Sequence, residues 1–169
     1  MPLFYPHLYK NSICDLTVQE LRGLGVACLI LDVDNTLQEH HAGTPAEGVS
    51  RWLKEMKDEG FSLCIASNSK DHRVSAFAKK VDLPYESLCC KPFPFGLRRS
   101  AKKMGFDRRQ CLMVGDQIFT DLIAAKTAGM KMLLLRPIKP EEGRSFRIRR
   151  WLEKKIMKKY PAYIERKKK

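Results

Sequence analysis

Short apolar runs alternate with amphipathic helical patterns along this chain, and that alternation constrains the fold more than any other feature. The runs at 27–31, 61–66, 87–90, 111–114 and 130–135 are each four to six residues long. They are apolar enough to be buried on both faces, as strands of a parallel sheet are. Between the first two, Thr44-Pro45-Ala46-Glu47 carries an N-cap, a first-turn proline and a capping-box glutamate. Val49, Trp52, Leu53 and Met56 then share one helical face, and Gly60 supplies the stop. Further helices are expected around Val74, Phe77, Ala78 and Val81, around Leu97, Ala101 and Met104, and over 121–128 before Gly129. A capping box, Thr17-Val18-Gln19-Glu20, starts a short helix ahead of the first run that ends near Gly25. Strand and helix thus alternate throughout, which predicts a doubly wound α/β fold: a five-stranded, mostly parallel sheet in a three-layer arrangement.

The charge is distributed unevenly. Of a formal net charge of +13, residues 144–169 contribute +10, from twelve basic residues against two acids, which leaves +3 for the rest. A uniformly basic, histone-like chain is excluded. The expected organisation is a domain over 1–143 and a basic amphipathic helix and tail over 144–169. No stretch approaches the ~18 uncharged apolar residues needed to cross a bilayer, and the first residues lack a basic segment followed by an apolar run. A cytoplasmic protein with reduced, buried cysteines is therefore expected, since the six cysteines form no C-x-x-C pair.

A polar cluster follows each of four apolar runs: Asp32-Val33-Asp34-Asn35-Thr36, Ser67-Asn68, Lys91-Pro92 and Gly115-Asp116-Gln117-Ile118-Phe119-Thr120-Asp121. In an open parallel sheet all carboxyl ends of the strands line one edge, so the clusters converge. Asp32, Asp34, Asp116 and Asp121 would repel one another in a desolvated crevice, and a hard divalent cation removes that repulsion. Oxygen donors without nearby His or Cys favour Mg²⁺. Lys91 and the Ser67 hydroxyl add a positive charge and a donor for phosphate oxygens. Acid, metal and cation together describe phosphoryl transfer.

These four clusters, in this order and strand context, resemble the motifs of the haloacid dehalogenase superfamily of phosphohydrolases, and the likeness spans 27–135. It implies that Asp32 is the nucleophile forming an aspartyl-phosphate, and that Asp34 is the acid for the leaving group and then the base for water. Ser67 would hold a phosphoryl oxygen and Lys91 would neutralise nucleophile and phosphate. Asp116 would bind Mg²⁺ with Asp32 and the Asp34 carbonyl, while Asn68 and Asp121 support the site. Asp121 also reads as a simple helix cap.

Thr36 to Ser67 leaves room for a loop and one helix, and Ser67 to Lys91 for one helix and one strand, so no cap domain is expected. An open site suits large substrates: phosphoproteins, polynucleotide ends or lipid head groups. In the tail, Ile148, Trp151, Leu152 and Ile156 fall at helical spacing among Arg147, Arg149, Arg150, Lys154, Lys155, Lys158 and Lys159. Two readings stay open: a helix lying in an anionic bilayer interface, or one packed on the sheet with a solvated basic face. Leu3, Phe4, Tyr5 and Leu8 could add an apolar contact, and His40 and His41 could touch substrate. The particular motifs, with Arg73-Val74 shortly after Ser67-Asn68, are similar to the YqeG family of subfamily IIIA, whose relatives include mitochondrial phosphatidylglycerophosphate phosphatases. That resemblance implies dephosphorylation of phosphatidylglycerophosphate to phosphatidylglycerol by a protein peripherally bound to the inner face of the membrane, with Arg73 as a head-group contact. The alternatives are a phosphatase for nucleic acid ends or phosphoproteins, or a module whose tail binds nucleic acid or ribosomes.

Overall fold

A computed structural model describes every residue except 1, 41, 140–142 and 169, and describes 144–146 and 166–168 by backbone alone. His41 and residues 140–142, just ahead of the expected boundary between 143 and 144, lie outside the described residues. Six strands, β1 (Leu8–Lys10), β2 (Cys28–Leu31), β3 (Ser62–Ala66), β4 (Tyr85–Glu86), β5 (Cys111–Gly115) and β6 (Lys131–Leu135), form one sheet in the order β1-β6-β5-β2-β3-β4. All five pairings are parallel. The helices are α1 (Val18–Gly23), α2 (Val49–Asp58), α3 (Asp71–Val81), α4 (Phe95–Met104), α5 (Ile123–Ala128), α6 (Arg144–Met157) and α7 (Tyr160–Lys168).

Alternation along each central strand divides the core into two layers. Leu29 and Leu31 of β2, Leu112 and Val114 of β5, and Leu133 and Leu135 of β6 pack with Trp52, Leu53 and Met56 of α2 and Val74, Phe77 and Ala78 of α3. Their neighbours Cys28 and Ile30, Cys111 and Met113, and Met132 and Leu134 face the other way, against Leu97 and Ala101 of α4 and Ala124, Ala125 and Ala128 of α5. Each fully buried side chain of this size contributes about 1.5–3 kcal/mol. Ile156 and Met157 of α6 rest against this second layer.

The structure differs from the sequence expectation at three boundaries. The strand expected at 87–90 lies at Tyr85–Glu86, where Tyr85 pairs with Ile65 and Glu86 with Ala66. Leu88 (φ 48°) and Cys90 (φ 55°) take left-handed conformations that turn the chain out of the sheet, so the apolar run becomes the loop presenting Lys91. A sixth strand, β1, was not among the five expected. Three residues carry too little pattern to be recognised, and they are strand because they pair with Leu133, Leu134 and Leu135. The helix expected to open at Thr44 begins at Val49. Leu37 O takes the Ala46 N–H (2.8 Å), and Gly48 (φ 77°) caps the helix from a left-handed conformation. The Thr17–Glu20 capping box forms as expected. Among the described residues, Thr36 and Ser67 are separated by α2 and β3, and Ser67 and Lys91 by α3 and β4, with no inserted domain.

Candidate active site

β2 lies between β3 and β5, so the chain leaving β2 emerges at the middle of the carboxyl edge, with Ser67 on one side and Asp116 on the other. The Asp32 N–H bonds Val114 O at 2.9 Å, extending the ladder one residue beyond the strand. The chain then folds back sharply: the amides of Thr36, Leu37 and Gln38 all donate to Val33 O, and Asn35 sits at φ 58°. This turn fixes Asp32 and Asp34 in different surroundings.

Asp32 is buried, with Oδ1 2.7 Å from Lys91 Nζ. Burial pushes its carboxyl pKa up to about 7; the Lys91 ammonium opposes this and the Asp121 charge adds to it. Asp34 stands apart and is half-buried. Gln38 Nε2 donates to its Oδ1 at 2.9 Å, the Ser69 hydroxyl reaches Oδ2 at 3.5 Å, and Arg73 lies 3.2 Å from Oδ2. Arg73, expected to meet a head group, thus holds the Asp34 carboxylate. Asp34, Ser67, Ser69, Gln38 and Arg73 share a cleft of about 330 Å³.

Lys91 is held at both ends. Asn68 accepts its backbone N–H (2.7 Å) and donates to its carbonyl (2.9 Å), a two-bond clamp on the main chain. Its ammonium donates to Asp32, to Asp121 Oδ1 at 2.6 Å and to Ala66 O at 3.0 Å. Burial alone would lower the lysine pKa; the two carboxylates more than reverse this and leave it raised, so the group stays charged. Ser67 Oγ accepts the Ser69 N–H at 3.2 Å, which leaves its own hydrogen to donate.

Asp121 uses both oxygens inside the protein, Oδ1 on Lys91 and Oδ2 on the Gln117 N–H at 3.1 Å. It supports Lys91 and, from within the wide helical turn Ile118–Leu122 that precedes α5, ties down the Gln117 N–H at the start of that turn. The site depends on Gly115, because a Cβ there would lie 2.5 Å from Asp121 Cγ. Asp116 is buried, and burial raises its pKa well above the carboxylate range; Arg150 opposes this while Asp121 and Asp32 add to it. Its Oδ1 is buried without a hydrogen-bond partner.

Carboxylate oxygens of Asp32, Asp116 and Asp121 come within 4.8 Å of one another. Three buried acids, an orphaned oxygen and donors that are all oxygen fit a hard cation such as Mg²⁺. The Asp34 carboxylate is not part of this cluster. His40 is exposed on the turn beyond Gln38.

Two functional candidates escaped the sequence reading, Arg150 and Glu153. Both belong to α6 and reach the loop after β5. Arg150 bonds the Asp116 carbonyl at 2.7 Å and also Asp116 Oδ2, and Glu153 accepts the Ile118 N–H at 2.8 Å. The available signal was Glu153 itself, one of two acids in a segment with twelve basic residues.

An α/β fold with an aspartate at the end of its central strand, and a serine, a lysine and an acidic loop at the same sheet edge, is the arrangement of a phosphohydrolase. The sequence model of haloacid dehalogenase-like hydrolases matches residues 7–129, and the chain belongs to that family. It is 28% identical over 154 residues to the probable phosphatase YqeG of Bacillus subtilis (strain 168), covering 91% of this chain and 90% of that protein. Among solved structures, it resembles a haloacid dehalogenase family hydrolase from Deinococcus radiodurans R1 with bound phosphate and sodium. There the TM-score is 0.58 at 16% identity over 72% of this chain and 86% of that one. CbbY from Rhodobacter sphaeroides in complex with phosphate gives 0.56 at 14% identity over 69% and 90%. These likenesses carry the fold.

Proposed function

We propose that this phosphatase hydrolyses a lipid phosphomonoester at an anionic membrane surface, with phosphatidylglycerophosphate as substrate and phosphatidylglycerol as product. The observation that carries the chemistry is the buried Asp32 carboxylate 2.7 Å from Lys91, with a second, separately held acid two residues on. An Asp32 oxygen attacks phosphorus as the bond to the leaving oxygen breaks, and Asp34 gives that oxygen a proton. Asp34 then takes a proton from water as the water oxygen attacks the aspartyl-phosphate, releasing phosphate and restoring Asp32. Ser67 donates to a phosphoryl oxygen, and Lys91 offsets the charge on nucleophile and phosphoryl group. Mg²⁺, held by Asp116, Asp32 and the Asp34 carbonyl, would supply a further positive charge at the phosphoryl group.

What supports the lipid substrate is the arrangement of apolar surface around an uncapped edge. Along α6, Ile148 (62%), Trp151 (54%) and Leu152 (40%) are exposed, while Arg150 and Glu153 face the body. The exposed stripe is flanked by Arg147, Lys154 and Lys155, with the Lys155 ammonium 3.6 Å from the Trp151 ring centre. Two further exposed aromatics, Phe93 and Phe95, stack 6.3 Å apart just after Lys91. Aromatic rings beside basic side chains match an anionic bilayer interface. No helix among the described residues is long and apolar enough to cross a membrane.

The test is phosphate release from phosphatidylglycerophosphate in liposomes, with and without Mg²⁺, for the wild type and Asp32→Asn. Release should require Mg²⁺ and fall at least ~10³-fold in the variant. Faster turnover of a 3′-phosphorylated oligonucleotide, with the lipid inert, would refute the lipid assignment. Replacing Ile148, Trp151 and Leu152 by Ser should abolish vesicle binding and spare turnover of a soluble phosphomonoester.

A further inference from the structure

The basic helix α6 touches three consecutive residues of the acidic loop, through the half-buried Arg149 and Arg150 and the buried Glu153. Arg150 Nη1 donates to the Asp116 carbonyl (2.7 Å) and to Glu153 Oε2 (2.9 Å), and Nη2 donates to Asp116 Oδ2. Arg149 donates to Gln117 Oε1 at 2.9 Å. Glu153, only 6% exposed, spends Oε1 on the Ile118 N–H. Glu153, Arg150 and Asp116 therefore form a row of alternating charge that runs from the helix into the acidic cluster. A fork-shaped guanidinium bridging a carbonyl and two carboxylates fixes orientation as well as charge.

The consequence for Asp116 is geometric. With Oδ2 held by Arg150 and the carbonyl pinned beside it, the carboxylate cannot rotate, and Oδ1 is left buried without a partner. We propose that Arg150 and Glu153 are positioning residues that aim Asp116 Oδ1 at the divalent cation, so that α6 is a structural part of the cation site. This rests on the reading of the acidic cluster as that site. Groups that hydrogen-bond a ligating carboxylate commonly account for 10- to 100-fold in metal affinity. The opposite role is physically distinct. If Arg150 were a resident competitor of the cation, removing its positive charge would tighten binding; if it aims the carboxylate, removing it weakens binding.

The sign can be measured by titrating Mn²⁺ into the full chain and following free Mn²⁺ by electron paramagnetic resonance. Arg150→Gln should bind Mn²⁺ about 10- to 100-fold more weakly than the wild type. Arg150→Lys keeps the charge without the fork and should recover only part of the loss, and Glu153→Gln should fall between wild type and Arg150→Gln. The Mg²⁺ concentration giving half-maximal turnover should rise by the same factor in Arg150→Gln; an unchanged half-maximal Mg²⁺ concentration overturns the proposal. Wild-type or tighter affinity in Arg150→Gln overturns the proposal. If that variant does not fold, Arg150→Lys decides, and wild-type affinity there overturns it equally. Asp116→Ala tests the underlying cation reading separately: Mn²⁺ bound to it at wild-type affinity would remove that reading, whatever the Arg150 variants do.

Discussion

Gly115→Ala isolates the coupling between the sheet edge and the buried lysine. Gly115 ends β5 with a backbone conformation open to any residue, so an added methyl changes only the space it fills. Its Cβ would lie 2.5 Å from Asp121 Cγ and 2.7 Å from Oδ2, whereas ordinary contact begins at 3.4 Å. Asp121 must therefore retreat by about 0.9 Å, the difference between 3.4 and 2.5 Å. It cannot do so without disturbing its 2.6 Å bond to Lys91 and its bond to the Gln117 amide. Overpacking of this kind costs about 1–3 kcal/mol. A displacement near 1 Å in catalytic machinery can cost about 10²-fold in rate. Urea unfolding and turnover of a soluble phosphomonoester should show both losses. Gly23→Ala is the control: nothing lies within 4 Å of its Cβ and its backbone is unstrained, so it should gain about 0.4–1 kcal/mol with unchanged turnover. A Gly115→Ala protein within about 0.5 kcal/mol and twofold of wild type would refute the claim that Asp121 is tightly coupled to Lys91.

Asn68→Ala removes both main-chain bonds to Lys91 and should cost about 2 kcal/mol in unfolding free energy, with a matching loss of turnover; stability within about 0.5 kcal/mol would show that the clamp is dispensable. The cation-free protein should lose stability as pH rises. Asp32 has its carboxyl raised from 3.8 to about 7, so between these values the folded chain holds a proton that the unfolded chain releases, and its contribution falls through that window by a few kcal/mol. Melting in chelator should be lower at pH 8 than at pH 5, and saturating Mg²⁺ should narrow the gap; an equal or higher melting temperature at pH 8 in chelator would contradict this.

How much of the site was legible follows from which contacts are local. Asp32, Ser67 and Asp116 each directly follow a strand, and parallel strands must bring their ends to one edge, so spacing brought them together, whereas Lys91 reaches that edge on the loop after β4. Asn68 and Asp121 were expected as supports through the family resemblance of their motifs, because their bonds to Lys91 span 23 and 30 residues of sequence. The side chains that hold Asp34 were not legible, since Gln38, Ser69 and Arg73 converge on it only after the turn at Asn35 closes. Arg150 and Glu153 were hidden for a stronger reason. A basic amphipathic pattern directs attention to its apolar stripe, yet the structure turns Ile148, Trp151 and Leu152 outward, packs only Ile156 of that stripe on the core, and docks the helix by its arginine and glutamate as well. Separation of 34 residues between Arg150 and Asp116 leaves no periodic trace. The offset of β4 has the same origin, because left-handed conformations at Leu88 and Cys90 are not written in their side chains.

The two-sided character of α6 has a thermodynamic corollary. One face of the helix grips the loop of Asp116 and the other offers Ile148, Trp151 and Leu152 to the surroundings. Any partner that pulls on the outer face works against the bonds of the inner one, so its binding and that of the cation are linked, and linkage is reciprocal. Cation occupancy should alter how firmly the helix is held, and a surface that captures the helix should alter cation affinity by the same factor. Removing residues 144–169 would erase both faces at once, so truncation cannot separate recruitment from catalysis; only substitutions confined to one face can.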